Sequence, residues 1–138
     1  MRVIIVGAGE VGHHTARWLA RENLDVVLID NKEEKIRKLR ETLDIQTVLG
    51  EGSDPDVLER AGAQGADMLV AVTNGDEVNM ISCLLAGVKF GIPTKVARIR
   101  NPAYLANPDL LGRKHLGINF TISPEVEVAN KTVQLLKV

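Results

Sequence analysis

The sequence has little of several features that mark large classes of proteins. Its 138 residues include one cysteine, Cys83, so no internal disulfide can form and a reducing compartment is expected. No apolar run reaches the length of a membrane-spanning helix, and the first residues show no signal-peptide pattern. The net charge of −1 gives no bulk electrostatic support for binding nucleic acid. We therefore expect a cytoplasmic protein, which can still associate with a membrane protein.

The residues of common enzyme chemistries are also missing. The sequence has no Tyr-x-x-x-Lys pair, and no cysteine or histidine residues cluster at the spacing of a metal site. Of the three histidines, His13 and His14 are expected at solvated positions, and His115 has no placement that suggests hydride transfer. A dehydrogenase also needs a second region that holds its substrate and supplies an acid or base. We therefore predict no catalytic residue, no metal site, and a binding function rather than an enzyme.

The overall composition of the sequence is that of one soluble globular domain. Hydrophobic residues make up 45% of the sequence and charged residues 25%. The length is enough to bury a sizeable core, and no repeat or linker divides the chain. We expect a single domain over 1–138, in which residues from about 123 to 138 form a terminal helix.

The most informative pattern lies near the N-terminus. A β-branched apolar run at 3–6 is followed by glycines spaced G-x-G-x-x-G, and a helical pattern then continues to about Arg21. Gly7 suits a sharp turn, Gly9 lets a pyrophosphate approach the backbone, and Gly12 lets the helix pack closely on the strand. The helix N-terminus presents free N–H groups and partial positive charge to phosphates. The segment predicts a strand, turn and helix that bind a dinucleotide, although a glycine-rich turn that binds nothing has the same pattern.

A second apolar run, at 26–29, ends in Asp30, which lies 18 residues past Gly12. An acid about 20 residues past the glycines hydrogen-bonds the adenosine ribose in dinucleotide-binding folds. Asp30 favours a free ribose diol and repels a 2′-phosphate, so we expect NAD, NADH or an adenine nucleotide rather than NADP. Lys32 weakens this preference, because a nearby cation could accept a phosphate.

Strand and helix patterns alternate along the whole chain. Strands are predicted at 2–6, 26–29, 46–49, 68–72, 95–99 and 119–122, and helices at about 12–21, 32–43, 55–61, 76–90, 104–111 and 123–138. This alternation predicts an α/β fold with a doubly wound, parallel, six-stranded sheet. Right-handed crossovers give the strand order 3-2-1-4-5-6 of a Rossmann fold, with a C-terminal helix added.

Ligands of open parallel sheets bind outside the carboxyl ends of the strands, near the point where the strand order reverses. The residues expected at those ends form the candidate cofactor-binding set: Gly7, Ala8, Gly9, Glu10, Val11, Gly12, Asp30, Asn31, Lys32, Gly52, Ser53, Thr73, Asn74, Asp76, Arg98 and Arg100.

Several members of this set have a second interpretation. Arg98 and Arg100 are two apart in a strand and share a face, where they could meet phosphates or form surface salt bridges. Asp76 could contact the ligand, but it also suits the N-cap of the fourth helix. Outside the set, Trp18 is interpreted as a packing residue and Cys83 as a small buried hydrophobic residue.

Together these residues resemble the TrkA family of potassium-uptake regulators, and in particular its N-terminal nucleotide-binding subdomain, called KTN or RCK. The resemblance covers nearly the whole chain. Its motifs are GAGEVG at 7–12, VLID at 27–30, GEGSDPDVL at 50–58 leading to Ala61-Gly62, ADMLVAVT at 66–73, DEVNM at 76–80, ARIRNPAY at 97–104 and ISPE at 122–125.

The resemblance implies a cytosolic gating subunit, peripheral on the inner face of the cell membrane. Such subunits form homodimers that assemble into rings on a membrane potassium channel or transporter. NAD(H), ATP or ADP binds in the Rossmann cleft, changes the shape of the ring, and so alters conduction by the membrane partner.

The resemblance also implies roles for particular residues. Gly7, Gly9 and Gly12 would hold phosphates, and Asp30 the adenosine ribose. Residues around Ser53 and Thr73 would line the cleft. The two arginines, Arg98 and Arg100, match family arginines that sense phosphates or the neighbouring subunit.

The chain departs from the family pattern in two ways. Family members commonly continue into a C-terminal ligand-binding subdomain, and some carry a tandem second copy, so this chain is expected to be a fragment or a minimal member. Glu51 is an acidic variant in the loop after the third strand, and the sequence does not predict its effect.

The predicted terminal helix carries an apolar stripe at Val126, Ala129, Val133 and Leu136. The stripe could pack on the chain's own sheet or form a symmetric crossover between subunits, which we favour.

The residues are also compatible with two other functions. The chain could be the cofactor-binding domain of an NAD-dependent oxidoreductase whose substrate domain is missing, or a structural ring component with a vestigial cleft.

Overall fold

A computed structural model describes residues 1–122 and 134–135 of the chain. Helices and strands alternate through the described residues. In chain order they are β1 (Arg2–Val6), α1 (Glu10–Arg21), β2 (Asp25–Asp30), α2 (Glu33–Arg40), β3 (Gln46–Leu49), α3 (Pro55–Arg60), β4 (Met68–Ala71), α4 (Asp76–Val88), β5 (Thr94–Arg98), α5 (Pro102–Leu105), α6 (Pro108–Leu111) and β6 (Phe120–Ile122).

The six strands form one parallel sheet in the order β3-β2-β1-β4-β5-β6, which confirms the predicted topology. The order reverses between β1 and β4, where Val6 at the end of β1 lies opposite both Ile29 and Ala71. Because all strands run the same way, the loops that follow them all open at the same end of the sheet. The loops that enter the strands lie at the other end.

Apolar side chains from successive strand residues pack on opposite faces of the sheet. On one face, Val3 and Ile5 of β1 pack with residues of α1 and α2. On the other face, Ile4 and Val6 pack with residues of α3 and α4. All of β4 is buried, as its continuous apolar run predicts for a strand covered on both faces. The sheet is therefore doubly wound, and its central strands form a rigid base for the loops at their carboxyl ends.

Two sequence-based predictions about helices are wrong. The helix predicted over 104–111 is two short helices, α5 and α6. Pro108 has no N–H for the preceding turn and disfavours helical backbone at Asn107, so α5 ends before it and α6 begins on it. The N-cap of α4 is Gly75 rather than Asp76, which is the first helical residue. The carboxylate of Asp76 instead accepts two backbone N–H groups from the segment after β5.

The helix predicted over 123–138 falls outside the described residues, except for Gln134 and Leu135. These two are helical, and the partly buried Leu135 packs against the core cluster on the α1 face of the sheet. Within 1–122 and 134–135, no helix is long and apolar enough to cross a membrane.

Candidate functional site

A cavity of about 500 Å³ lies at the carboxyl ends of the strands, where the strand order reverses. It is the cleft that the fold predicts for a ligand. The predicted site residues that line it are Gly7, Gly9, Glu10, Val11, Asp30, Asn31, Lys32, Gly52, Thr73, Asn74, Arg98 and Arg100.

The glycine turn after β1 forms the floor of the cleft. Gly7 has a φ of +114°, which side chains other than glycine rarely adopt. A Cβ on Gly12 would overlap the carbonyl oxygen of Gly7, so α1 can approach the turn only with glycine there. A Cβ on Gly9 would meet no atom within 4 Å, because Gly9 faces the open cleft. The three glycines thus have the geometry expected for a turn, a close approach and an open path to the backbone.

Asp30 at the end of β2 is held in place by its own surroundings. One carboxylate oxygen accepts the backbone N–H of Ala8 at 2.7 Å, and the other accepts that of Lys32 at 2.8 Å. Each oxygen keeps a second lone pair, which can accept a hydroxyl donor from the cleft. The side chain is therefore oriented before any ligand arrives.

The loop after β3 forms the next part of the wall. A Cβ on Gly52 would overlap the side chain of Val6, so the loop lies directly on the end of β1. Glu51 lines the cleft, and its carboxylate accepts a hydrogen bond from the Asn31 side chain at 3.0 Å. Glu51 thus joins the ends of β2 and β3 beside Asp30.

Glu51 and Lys35 also line the cleft, although neither is among the predicted site residues. The parallel register brings Leu49 opposite Asp30, so the loops that carry Asn31 and Glu51 leave the sheet side by side at the same edge. Lys35 lies in the first turn of α2, where helical periodicity turns it to the same side as Asn31 and Lys32.

Arg98 and Arg100 face the cleft from the end of β5. Arg98 is only 5% exposed, so it is not a surface residue. Arg100 is exposed at the mouth of the cleft. Because β5 ends at Arg98, Arg100 follows the strand and does not lie within it as predicted, although both residues line the cleft.

Four predicted site residues do not line the cavity. The N–H of Ala8 holds Asp30, and Gly12 lies against Gly7 behind the turn. The half-buried Ser53 lies beside the lining residue Gly52. Asp76 points both carboxylate oxygens at the backbone N–H groups of Arg100 and Asn101.

The charges of the cleft suit a ligand that combines hydroxyl and phosphate groups. Its carboxylates, which can accept hydroxyl donors, are Glu10, Asp30 and Glu51. Its cations, which can bind phosphate oxygens, are Lys32, Lys35, Arg98 and Arg100.

The other titratable groups singled out in the sequence lie outside the lining. Burial, with the positive charges of Arg17 and Lys38, lowers the pKa of His13. His14 is exposed, and its ring lies 6.4 Å from that of Trp18, which packs against the core as predicted. Cys83 is buried, as predicted, and burial raises its pKa to about 12.

The sequence and the fold match those of one protein family. Residues 3–124 match the model of the TrkA-N domain. The Trk system potassium uptake protein TrkA of Halomonas elongata is 47% identical over 137 residues, which cover 99% of this chain and 30% of that protein. The chain spans about a third of the length of the curated relatives it matches.

Solved structures extend the likeness in fold. The TrkA-N domain of the inner membrane protein ybaL from Escherichia coli has a TM-score of 0.77 and 21% identity, covering 98% of this chain and 96% of that one. The ADP-bound structure of GsuK has a TM-score of 0.71 and 26% identity, covering 99% of this chain and 34% of that one. The GsuK channel has also been solved bound to NAD, with a TM-score of 0.73 and 22% identity over 88% of this chain and 21% of that one.

The family match covers nearly the whole chain and includes the glycine turn, Asp30 and both arginines of the cleft. The chain belongs to the TrkA-N domain family.

Proposed function

We propose that this chain is the nucleotide-binding regulatory domain of a potassium transport system. The observation that carries the proposal is that a preset Asp30, the glycine turn, Arg98 and Arg100 all line one cleft. Support also comes from the relatives, which are named Trk system potassium uptake proteins.

The proposed ligand is NAD or NADH, with ATP or ADP as the alternative. The adenosine ribose places its hydroxyls on Asp30, and the phosphates lie over the turn at Gly9 and the N-terminus of α1. Arg98 and Arg100 reach the phosphates from the opposite wall. GsuK structures bound to ADP and to NAD support a nucleotide in a domain of this fold.

The proposed role is regulation. Two nucleotides can switch a protein only if they bind two of its shapes with different affinity. We propose that the chain acts as a homodimer within a ring on the cytoplasmic face of the membrane, where the nucleotide changes conduction by a potassium channel or transporter.

The first test is a thermal unfolding series of the 138-residue chain with NAD, NADH, ATP, ADP and NADP. A ligand that binds only the folded state adds about 2.7 kcal/mol at a hundredfold excess over its Kd. NADP is the matched control for NAD, because its 2′-phosphate would meet the carboxylate of Asp30. We expect stabilisation by NADH and by adenine nucleotides, and little by NADP.

The outcomes separate the possible functions. Stabilisation by NAD(H) alone, together with NADH oxidation on any substrate, would favour an oxidoreductase domain instead. No stabilisation by any of these nucleotides would contradict the proposal. Hydrogen exchange with and without each ligand then tests regulation, since a regulator must differ in protection between its NADH-bound and ADP-bound states.

A further inference from the structure

Helix α4 carries a row of polar side chains on the side that faces the sheet. Asp76, Asn79 and Ser82 are spaced three residues apart, so they lie along one face of the helix. Asn79 and Ser82 are fully buried beside apolar neighbours of the core. Buried polar groups destabilise a fold unless they are hydrogen-bonded, so these side chains need partners within the core.

Each of these three side chains forms a hydrogen bond with a loop that lines the cleft. The Ser82 hydroxyl donates to the carbonyl of Gly52, after β3, at 2.8 Å. Asn79 bonds the loop after β4, and Asp76 the segment after β5. One helix face therefore holds three of the loops that surround the candidate ligand.

Asn79 uses its full hydrogen-bonding capacity. Its side-chain oxygen accepts the Thr73 N–H at 3.0 Å and the Thr73 hydroxyl at 2.7 Å. Its amide nitrogen donates to the carbonyls of Thr73 at 3.2 Å and Arg98 at 2.8 Å. The backbone at Arg98 is thus fixed to α4 from inside the core.

Asp76 fixes the same segment two residues later. Its oxygens accept the backbone N–H groups of Arg100 at 3.0 Å and Asn101 at 2.8 Å. Hydrogen bonds to a carboxylate are stronger than those between neutral groups. The backbone on both sides of Arg100 is therefore held by one side chain at the start of α4.

We propose that Asp76 is a positioning residue for phosphate binding, which acts by fixing the backbone that carries Arg100 into the cleft. The inference rests on the proposed function, because it takes the nucleotide phosphates as the partner of Arg100. Asp76 would touch no ligand atom, and its effect would depend on the presence of the arginine side chain. A small displacement of a binding group weakens the interactions that it makes, so the effect is measurable as affinity.

The test is a double-mutant cycle measured by calorimetry with ADP on the whole chain. Asp76→Asn keeps the size of the side chain. It replaces one of the two acceptor oxygens with an NH₂ group, which is a donor and cannot accept a backbone N–H. We expect it to weaken ADP binding about tenfold, the effect of losing one hydrogen bond to a charged group. In the Arg100→Gln background, which keeps the backbone N–H groups, the same substitution should change the affinity less than about twofold.

Glu77→Gln is the matched control. It removes the same charge from the same helix turn, but Glu77 is exposed and accepts the Tyr104 hydroxyl, at 3.5 Å, rather than the backbone of the segment after β5. We expect a change in ADP affinity below about twofold for this variant. Thermal unfolding of every variant checks that each one is folded.

The outcomes distinguish this inference from the proposed function. If the wild-type chain does not bind ADP, NAD or NADH, the proposed function fails and the inference fails with it. If it binds ADP but Asp76→Asn has no effect, or weakens binding equally with and without Arg100, only the inference is overturned. An Arg100→Gln variant that binds ADP as well as wild type would also overturn the inference alone.

Discussion

The carboxylate of Asp30 accepts the backbone N–H of Ala8 at 2.7 Å, although the two residues are 22 positions apart in the chain. The bond joins the end of β2 to the glycine turn after β1. The residue proposed to hold the ribose thus also fixes the turn proposed to hold the phosphates. Stability and ligand binding are expected to be linked at this one side chain.

Asp30→Ala is therefore expected to lower both properties. Loss of the acceptor for Ala8 and Lys32 should reduce the free energy of unfolding by about 1–3 kcal/mol, measured by urea denaturation. The affinity for ADP and NADH, measured by calorimetry, should fall about tenfold or more.

Asp25→Ala is the control on the same strand. Asp25 lies at the opposite end of β2, where it forms an exposed ion pair with Arg2 at 2.9 Å. Its loss should reduce stability by less than about 1 kcal/mol and leave nucleotide affinity unchanged. Equal losses of affinity in the two variants would argue against a ligand at Asp30.

Two alanine substitutions in the glycine turn should change different properties, ligand binding in one variant and stability in the other. Gly9→Ala places a methyl group in the open cleft, so stability should fall by less than about 1 kcal/mol while nucleotide binding is lost. Gly12→Ala forces the methyl group against the Gly7 carbonyl and should destabilise the chain by about 1–3 kcal/mol or more. Urea denaturation and calorimetry separate the two effects. A Gly9→Ala variant with wild-type affinity would exclude phosphates from this turn.

Asn79→Ala should be among the more damaging single substitutions on α4. The substitution removes the hydrogen-bond partner of the Thr73 N–H and of the Arg98 carbonyl. We expect the free energy of unfolding to fall by about 2 kcal/mol or more. Asn74→Ala is the surface control, because Asn74 is exposed, and a change within about 0.5 kcal/mol is expected. Similar losses in both variants would contradict the bonding role of Asn79.

The buried thiol of Cys83 should make the stability of the chain depend on pH in the alkaline range. Burial raises the pKa of its thiol to about 12 in the folded chain, against an ordinary value of 9.0. The folded state therefore favours the neutral thiol. The resulting contribution to the free energy of unfolding is fully present below pH 9 and is lost as the pH rises towards 12. The stability advantage of wild type over Cys83→Ala should shrink between pH 8 and pH 10.5. A constant difference over that range would show that folding does not raise the pKa of this thiol.

The sequence predicted best where local pattern and packing agree. The β1 run, its glycines and Asp30 belong to one short unit. The all-apolar β4 is stable only where both of its faces are covered, which is at the centre of a sheet. The helix predicted through Pro108 was wrong for a local reason, since a proline favours a helix start over a helix interior.

The contacts that the sequence could not predict depend on how distant elements meet. Asn79 is 19 residues from Arg98, and their bond exists only because α4 packs beside β5. Asp76 likewise fits an N-cap by local preference, but tertiary contacts 24 and 25 residues away use its carboxylate instead. Glu51 follows β3 at the edge where the sequence already placed Gly52 and Ser53, but its hydrogen bond with Asn31 depends on how β2 and β3 pair.

The parallel sheet also separates the cleft from the loops that enter the strands. Gln64 is exposed in the loop between α3 and β4, at the far end of the sheet, where Arg2 also bonds the carbonyl of Gly62. The single native cysteine, Cys83, is buried. A cysteine introduced at position 64 would thus be the accessible thiol of the folded chain, so a fluorophore or surface linker attached there leaves the mouth of the cleft open.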